Sequence, residues 1–401
     1  MSHISVIGLG YMGLPMAAIL AKAGHTVRGV DISPRVVASV NTGACPFHET
    51  GMPELVAEAH ASGRLTAALK PEAADIFILS LPTPTNHVTH APDMSFVEAG
   101  ASSIAPVLKA GDLVVLESTS PVGATQRNVK DLIERARPEL TGKVDYVFCP
   151  ERAIPGATLR EMVENDRLVG GLTPKATERG IELYTSFCKG ALLPCTANEA
   201  EMVKLVENAS RDAQIAFANE LSLVCHKMGL NVFNVIKLAN HHPRVNILTP
   251  GAGVGGHCIA VDPWFIIHEA PELTPQMQAT RKVNDGKPLW VAEQVRKAAK
   301  ATGKAKPVVA CLGLAYKPDV DDLRESPSIT VVEELAKDTG LDLLIVEPFL
   351  TTWDRPLTSL ESALAKADVV VSLTGHSAFK KLTPADLTGK QVIDPCGIWR
   401  L

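Results

Sequence analysis

A short apolar run, Ile4-Ser5-Val6-Ile7, turns through Gly8-Leu9-Gly10-Tyr11-Met12-Gly13 into a helical pattern from Leu14 to Ala23. Gly24 closes that helix, Thr26 to Val30 reads as a second strand, and an acid, Asp31, ends it. Three glycines at this spacing are weak evidence alone. Between a strand and a helix, with an acid ending the next strand, they specify a parallel βαβ unit that binds a dinucleotide. Gly8 makes the turn, Gly10 lets a pyrophosphate approach the backbone, and Gly13 allows the helix to pack closely on the sheet. The helix N-terminus then favours the negative charge. Asp31 would accept hydrogen bonds from ribose hydroxyls and repel a 2′-phosphate, which predicts NAD rather than NADP. The bland alternative is that Asp31 only begins the Asp-Ile-Ser-Pro turn. Tyr11, Met12 and Arg35 complete the expected cofactor set on this unit.

The same rhythm continues. Asp75 to Leu81, Leu113 to Glu117 and Tyr146 to Cys149 read as buried strands. Ligands gather beyond the carboxyl ends of such strands, and Thr83, Thr119 and Glu151 fall there. Asn198 to Met228 is one helical pattern, with Met202, Leu205, Val206, Ala209, Ala213, Ala216, Phe217 and Leu221 at helical spacing. It would run about 45 Å at 1.5 Å per residue. Lys204, Asn208 and Arg211 lie a turn apart on its polar face, where a solvated stripe is the ordinary expectation.

From Pro307 the alternation restarts, with strands at 308–313, 342–346, 368–373 and 391–394 and helices at 328–337 and 360–366. This second, smaller sheet lacks G-x-G-x-x-G and is not a second dinucleotide site. Its first strand leads to Tyr316-Lys317-Pro318-Asp319, and basic Lys317 at a strand end suits an anionic diphosphate. The expected division is residues 1–197 as a dinucleotide-binding domain, 198–300 as a central helical and dimerisation domain, and 301–401 as a second α/β domain. The fold class is thus α/β, two Rossmann-type sheets around a long helix.

Composition narrows the function. A net charge of −5 over 401 residues leaves no cationic surplus for phosphate backbones, so no nucleic-acid partner is expected. No apolar run approaches the roughly 18 residues of a membrane span, and no leader precedes the first strand. Eight scattered cysteines without a Cys-x-x-Cys pair fit neither a disulfide framework nor a zinc site. The expected compartment is the cytoplasm. Between the two sheets lies Thr249-Pro-Gly-Ala-Gly-Val-Gly-Gly-His-Cys258, followed by Ile-Ala-Val-Asp262-Pro-Trp-Phe265. A helix beginning near Cys258 would favour its thiolate, the nucleophilic form. The bland reading is a glycine turn, a buried cysteine, and Asp262-Pro263 as a helix cap. The paired His241-His242 has no third ligand at metal spacing, so no metal is expected.

Gly-Gly-His-Cys with its Ile-Ala-Val-Asp-Pro-Trp-Phe tail resembles the catalytic cysteine motif of the UDP-glucose/GDP-mannose dehydrogenase superfamily, and the likeness covers essentially the whole chain. The tail is most similar to the branch that oxidises UDP-N-acetyl-D-mannosamine. The resemblance implies catalytic roles for Cys258, Lys204, Asn208, Glu151 and Asp262, and places Thr83, Thr119 and Arg324 on the cofactor. It implies that Arg152, Ala153, Lys204, Asn208, Arg211, His242, Arg244, Gly255, Tyr316 and Lys317 meet the substrate, with the His-Pro-Arg element able to reach it from a neighbouring subunit. The implied reaction is oxidation of a sugar C6 alcohol to the carboxylate with two NAD in sequence, through a cysteine thiohemiacetal and thioester, in a homodimer or a dimer-based oligomer. UDP-N-acetylglucosamine, UDP-glucose and GDP-mannose remain alternative substrates. A two-electron hydroxyacid-type dehydrogenase and a non-enzymatic NAD sensor are the rival readings. The loop Asn86-His-Val-Thr-His-Ala-Pro92 departs from the more charged loop that the resemblance leads one to expect.

Overall fold

The computed structural model describes residues 1–399 except His48, His87, Pro155 and His257. The chain divides into two compact units, Met1–Val206 with Trp264–Glu269, and Glu207–Pro263 with Ala270–Leu401. The expected α/β class with two sheets is observed.

The first unit holds eight strands: β1 His3–Ile7, β2 Thr26–Val30, β3 Leu65–Ala68, β4 Ile76–Leu79, β5 Leu113–Leu116, β6 Asp145–Phe148, β7 Arg167–Gly171 and β8 Leu192–Thr196. Their order is β3-β2-β1-β4-β5-β6-β7-β8. The chain reverses its direction of winding between β1 and β4, which opens a crevice at their carboxyl ends. All pairs are parallel except β6 with β7. Apolar side chains feed both faces. Ile76 and Ile78 of β4 join one core with Val115 and Val147, whereas Phe77 and Leu79 join the opposite core with Val114 and Phe148. A strand buried on both sides needs this continuous apolar run, and helices cover each face.

In the second unit the order is β10-β9-β11-β12, all parallel, with β9 Val308–Leu312, β10 Asp342–Val346, β11 Val369–Ser372 and β12 Gln391–Ile393. Val309 and Cys311 point into one core and Ala310 and Leu312 into the other. Helix Pro275–Ala301 packs on the first of these cores through Val291, Ala292 and Val295.

The long helix runs from Ala197 to Met228. Its apolar residues divide. Leu205, Ala209 and Ala216 are buried, while Met202, Val206 and Phe217 are exposed. Of the three residues that spacing sets on the polar face, Lys204 is buried, Asn208 is half-buried, and Arg211 is exposed. Among the described residues no helix is long and apolar enough to cross a membrane.

Candidate active site

In the first unit, the β1–helix turn carries the glycine fingerprint. A side chain at Gly8 would strike the Ser80 carbonyl, and one at Gly13 would strike the Gly8 carbonyl, so the chain's own packing demands both glycines. Gly10 differs. A Cβ there would meet nothing within 4 Å. The space above Gly10 is what close approach of a pyrophosphate requires. Helix Gly13–Lys22 begins there with Met12 as its cap residue and no side-chain cap. Tyr11 rests on Phe47, ring centroids 4.5 Å apart, and Arg35 is exposed.

The Asp31 carboxylate accepts the Leu9 N–H at 2.9 Å and the Ser33 N–H at 2.8 Å. The turn reading of Asp31 is thus observed. It begins the turn, and it holds the glycine loop, with remaining lone pairs available to ribose hydroxyls. Thr83 is buried and Thr119 half-buried, beyond the ends of β4 and β5. The loop after Thr83 closes on itself through an antiparallel bridge between Thr85 and Pro92. Its His90 stacks on Trp264 at 3.9 Å.

Glu151 lies just past β6. One carboxylate oxygen accepts the backbone N–H of Arg152 and of Ala153, each at 2.7 Å, and the other accepts Arg167 Nη2 at 2.7 Å. Arg167 is buried and sits over the rings of Tyr184 and Phe187. Beside it, burial pushes the Glu117 carboxyl up to about 7, and Tyr184 donates to it at 2.7 Å. Sequence reasoning missed Arg167, Tyr184 and Glu117; an arginine opening a strand was the one available signal. The Arg152 side chain bonds the Asp166 carbonyl.

Lys204 lies one turn beyond Glu201, near the start of the long helix. There the buried Glu201 accepts Gly123 N–H at 2.5 Å and the N–H and hydroxyl of Thr125 at 2.8 and 2.7 Å. That carboxylate fixes the helix against the Ser118–Gly123 loop.

In the second unit, Asn208 donates to Asp262 at 2.5 Å. The Cys258 carbonyl accepts the N–H of Val261 and of Asp262 at 3.1 and 2.8 Å. A turn thus starts at Cys258 and the regular helix Asp262–Glu269 follows it, four residues later than expected. The glycine loop before Cys258 presses against the segment after β9. A Cβ on Gly255 would fall 2.9 Å from Tyr316, and one on Gly256 2.6 Å from the Tyr316 ring. Gly256 N–H donates to the Arg324 carbonyl at 3.1 Å. Asp322 first, then the neighbouring Tyr316 and Cys258, hold the Arg324 guanidinium above its ordinary value. The structure so brings Cys258, Tyr316 and Arg324 together, with Asn208 and Asp262 paired. His257 of the motif lies outside the described residues. His242 and Arg244 are exposed, joined by an Arg244 N–H to His242 Nδ1 bond of 3.3 Å.

A dinucleotide cradle in one unit and a cysteine turn braced by a cationic strand-end segment in the other define a nicotinamide-dependent oxidoreductase. Family models match along the chain: the UDP-glucose/GDP-mannose dehydrogenase NAD binding domain at residues 2–188, its central domain at 198–286 and its UDP binding domain at 310–400. The chain belongs to the UDP-glucose/GDP-mannose dehydrogenase family, and it is an NAD-dependent nucleotide-sugar dehydrogenase. It is 47% identical over 417 residues to the UDP-N-acetyl-D-mannosamine dehydrogenase of Yersinia pestis, covering 99% of each chain. It is 47% identical over 409 residues to the NDP-N-acetyl-D-galactosaminuronic acid dehydrogenase of Ralstonia nicotianae, covering 99% of this chain and 96% of that one. The UDP-N-acetyl-mannosamine dehydrogenase structure from S. aureus superposes with a TM-score of 0.90 at 37% identity, covering 100% of this chain and 96% of the other.

Proposed function

We propose that this enzyme oxidises the C6 alcohol of UDP-N-acetyl-D-mannosamine to the carboxylate, through a covalent adduct on Cys258. The observation that carries the covalent step is that Cys258 opens a helical turn close to the Arg324 guanidinium, the kind of electropositive setting that reactive cysteines occupy. The choice of sugar rests on the Y. pestis relative and on the Ala-Val-Asp-Pro-Trp tail. The R. nicotianae relative at the same identity makes the galactosamine isomer the second substrate to test.

NAD, when bound, accepts the hydride in each of the two oxidations. Lys204 stabilises the C6 oxygen while its proton passes to a water held by Asp262 and on to solvent. The Cys258 thiolate adds to the aldehyde carbon to give a thiohemiacetal, and loss of a second hydride gives the thioester. Water then cleaves it, releasing the acid and the thiolate. Glu151 acts here as a fixed negative charge orienting that water, since both its oxygens already hold N–H donors. Asp262, steered by Asn208, takes the proton. A cytoplasmic location is compatible with eight free cysteines, and residues 1–197, 198–300 and 301–401 serve as the cofactor, central and nucleotide-sugar portions.

The test is NADH stoichiometry with Cys258→Ala and Cys258→Ser across UDP-N-acetyl-mannosamine, UDP-N-acetyl-galactosamine, UDP-N-acetylglucosamine, UDP-glucose and GDP-mannose. Wild type should give two NADH per sugar with the first of these. Both variants should lose acid formation while retaining nucleotide-sugar affinity. Cys258→Ala making the acid at near wild-type rate removes the covalent route.

A further inference from the structure

Beyond the carboxyl ends of β9, β10 and β11 lies a buried pair, His376 and Glu347, for which the reaction above has no use. Neither side chain is solvent-accessible. His376 Nδ1 accepts the backbone N–H of Asp319 at 2.9 Å. In the neutral ring this leaves the proton on Nε2, which donates to Glu347 Oε2 at 3.1 Å. The same oxygen accepts the N–H groups of Leu314 at 2.7 Å and Ala315 at 3.0 Å. Glu347 Oε1 accepts the Phe349 N–H at 3.1 Å. Burial opposes ionisation, but His376 and these backbone donors hold the Glu347 carboxyl below its ordinary value.

The two side chains therefore grip both ends of one segment, Leu314 to Asp319. Thr374 adds a third hold through its bond to the Ala315 carbonyl at 2.6 Å. At the far end Asp319 adopts φ +61°, a left-handed conformation that is uncommon without glycine. Ser377 ties its carboxylate through N–H and hydroxyl bonds of 2.8 and 2.5 Å. Strain of that kind persists only where the surroundings over-determine it. Between the gripped ends stand Tyr316, packed on the Gly256 backbone, and the half-buried Lys317.

We propose that His376 and Glu347 are positioning residues for nucleotide recognition, fixing the Leu314–Asp319 backbone so that Lys317 is preformed to meet the diphosphate. The inference rests on the reading of Lys317 as a diphosphate contact. Preorganisation lowers the ordering cost of binding, so its loss should appear in affinity for the nucleotide and not in affinity for NAD.

The experiment measures uridine 5′-diphosphate binding by calorimetry and NAD binding by fluorescence on the full chain. His376→Leu removes both bonds at similar volume. It should weaken UDP roughly tenfold, on the scale of one lost charge-assisted contact, and raise KM for the nucleotide sugar with little change in kcat and none in NAD affinity. His376→Asn restores an acceptor for the Asp319 N–H and should recover part of that loss. Should His376→Leu fail to fold, His376→Asn carries the test alone, with an expected UDP loss of a few fold. Lys317→Met is the control for the underlying reading. If Lys317→Met loses UDP affinity while the folded His376 variants bind UDP within twofold of wild type, the positioning role is wrong. If Lys317→Met itself binds UDP normally, the diphosphate reading falls, and the inference with it.

Discussion

Glu117 shows what a single buried residue adds to the site. Its carboxyl lies between Tyr184 and the charged Arg167–Glu151 pair, one oxygen having no hydrogen-bond partner among the described residues. Burial raises its pKa from 4.5 to about 7. Between those two values the folded chain holds a proton that the unfolded chain has released, so stability falls as pH rises through that window and levels off above it. Glu117→Gln keeps the acceptor for Tyr184 and cannot ionise. Relative to wild type it should gain up to about 3 kcal/mol between pH 5 and pH 8, read from urea unfolding at the two pH values. A constant difference would mean that Glu117 does not titrate there. This residue was invisible in the sequence because an acid at a strand end looks the same whether it meets solvent or a buried arginine. The burial of Lys204 was illegible for a related reason. Helical spacing gives a residue's direction around the axis, but not what another element lays over it.

At the scale of elements, the first βα turn separates packing from binding. Gly13→Ala drives a Cβ into the Gly8 carbonyl and should abolish folding. Gly10→Ala meets only open space in the chain itself. It should keep the wild-type melting temperature yet weaken NAD about tenfold or more, since about 1.4 kcal/mol suffices for a factor of ten. Equal NAD affinity would show that nothing closes on Gly10. Elements with long apolar runs were legible to within a residue or two: Leu14–Ala23 against the observed Gly13–Lys22, and Ser328–Lys337 against Pro327–Ala336. Three strands were not. β3 is four residues long and edges the sheet, β7 opens on Arg167 and ends in two glycines, and β8 carries Pro194 on the other edge. Edge strands need few apolar residues and tolerate proline, so they leave little pattern. The antiparallel β6–β7 pair was missed along with β7, because an interior strand that opens on arginine and ends in two glycines shows no apolar run.

For the whole molecule, the long helix presents Met202, Val206, Phe217, Val224 and Met228 as an exposed apolar series at spacings of four, eleven, seven and four. These steps keep one helix face, and a helix seam of this kind favours a two-fold pair. Light scattering should therefore give a dimer, and Phe217→Glu should yield monomers with the NAD affinity of wild type. A wild-type monomer at assay concentration would exclude the pairing. The division into units carries a consequence of another kind. Trp264–Glu269 belongs to the first unit while the stretches on either side belong to the second, so the polypeptide passes between them three times. No single cut releases either unit whole. A fragment ending at Val206 would lack Trp264, the stacking partner of His90, and the buried Phe265, Ile266 and Ile267. For an evolving gene the two nucleotide-binding halves are thus inherited together. One crossover that exchanged a half for a foreign one would bring along, or leave behind, six residues fitted to a different neighbour.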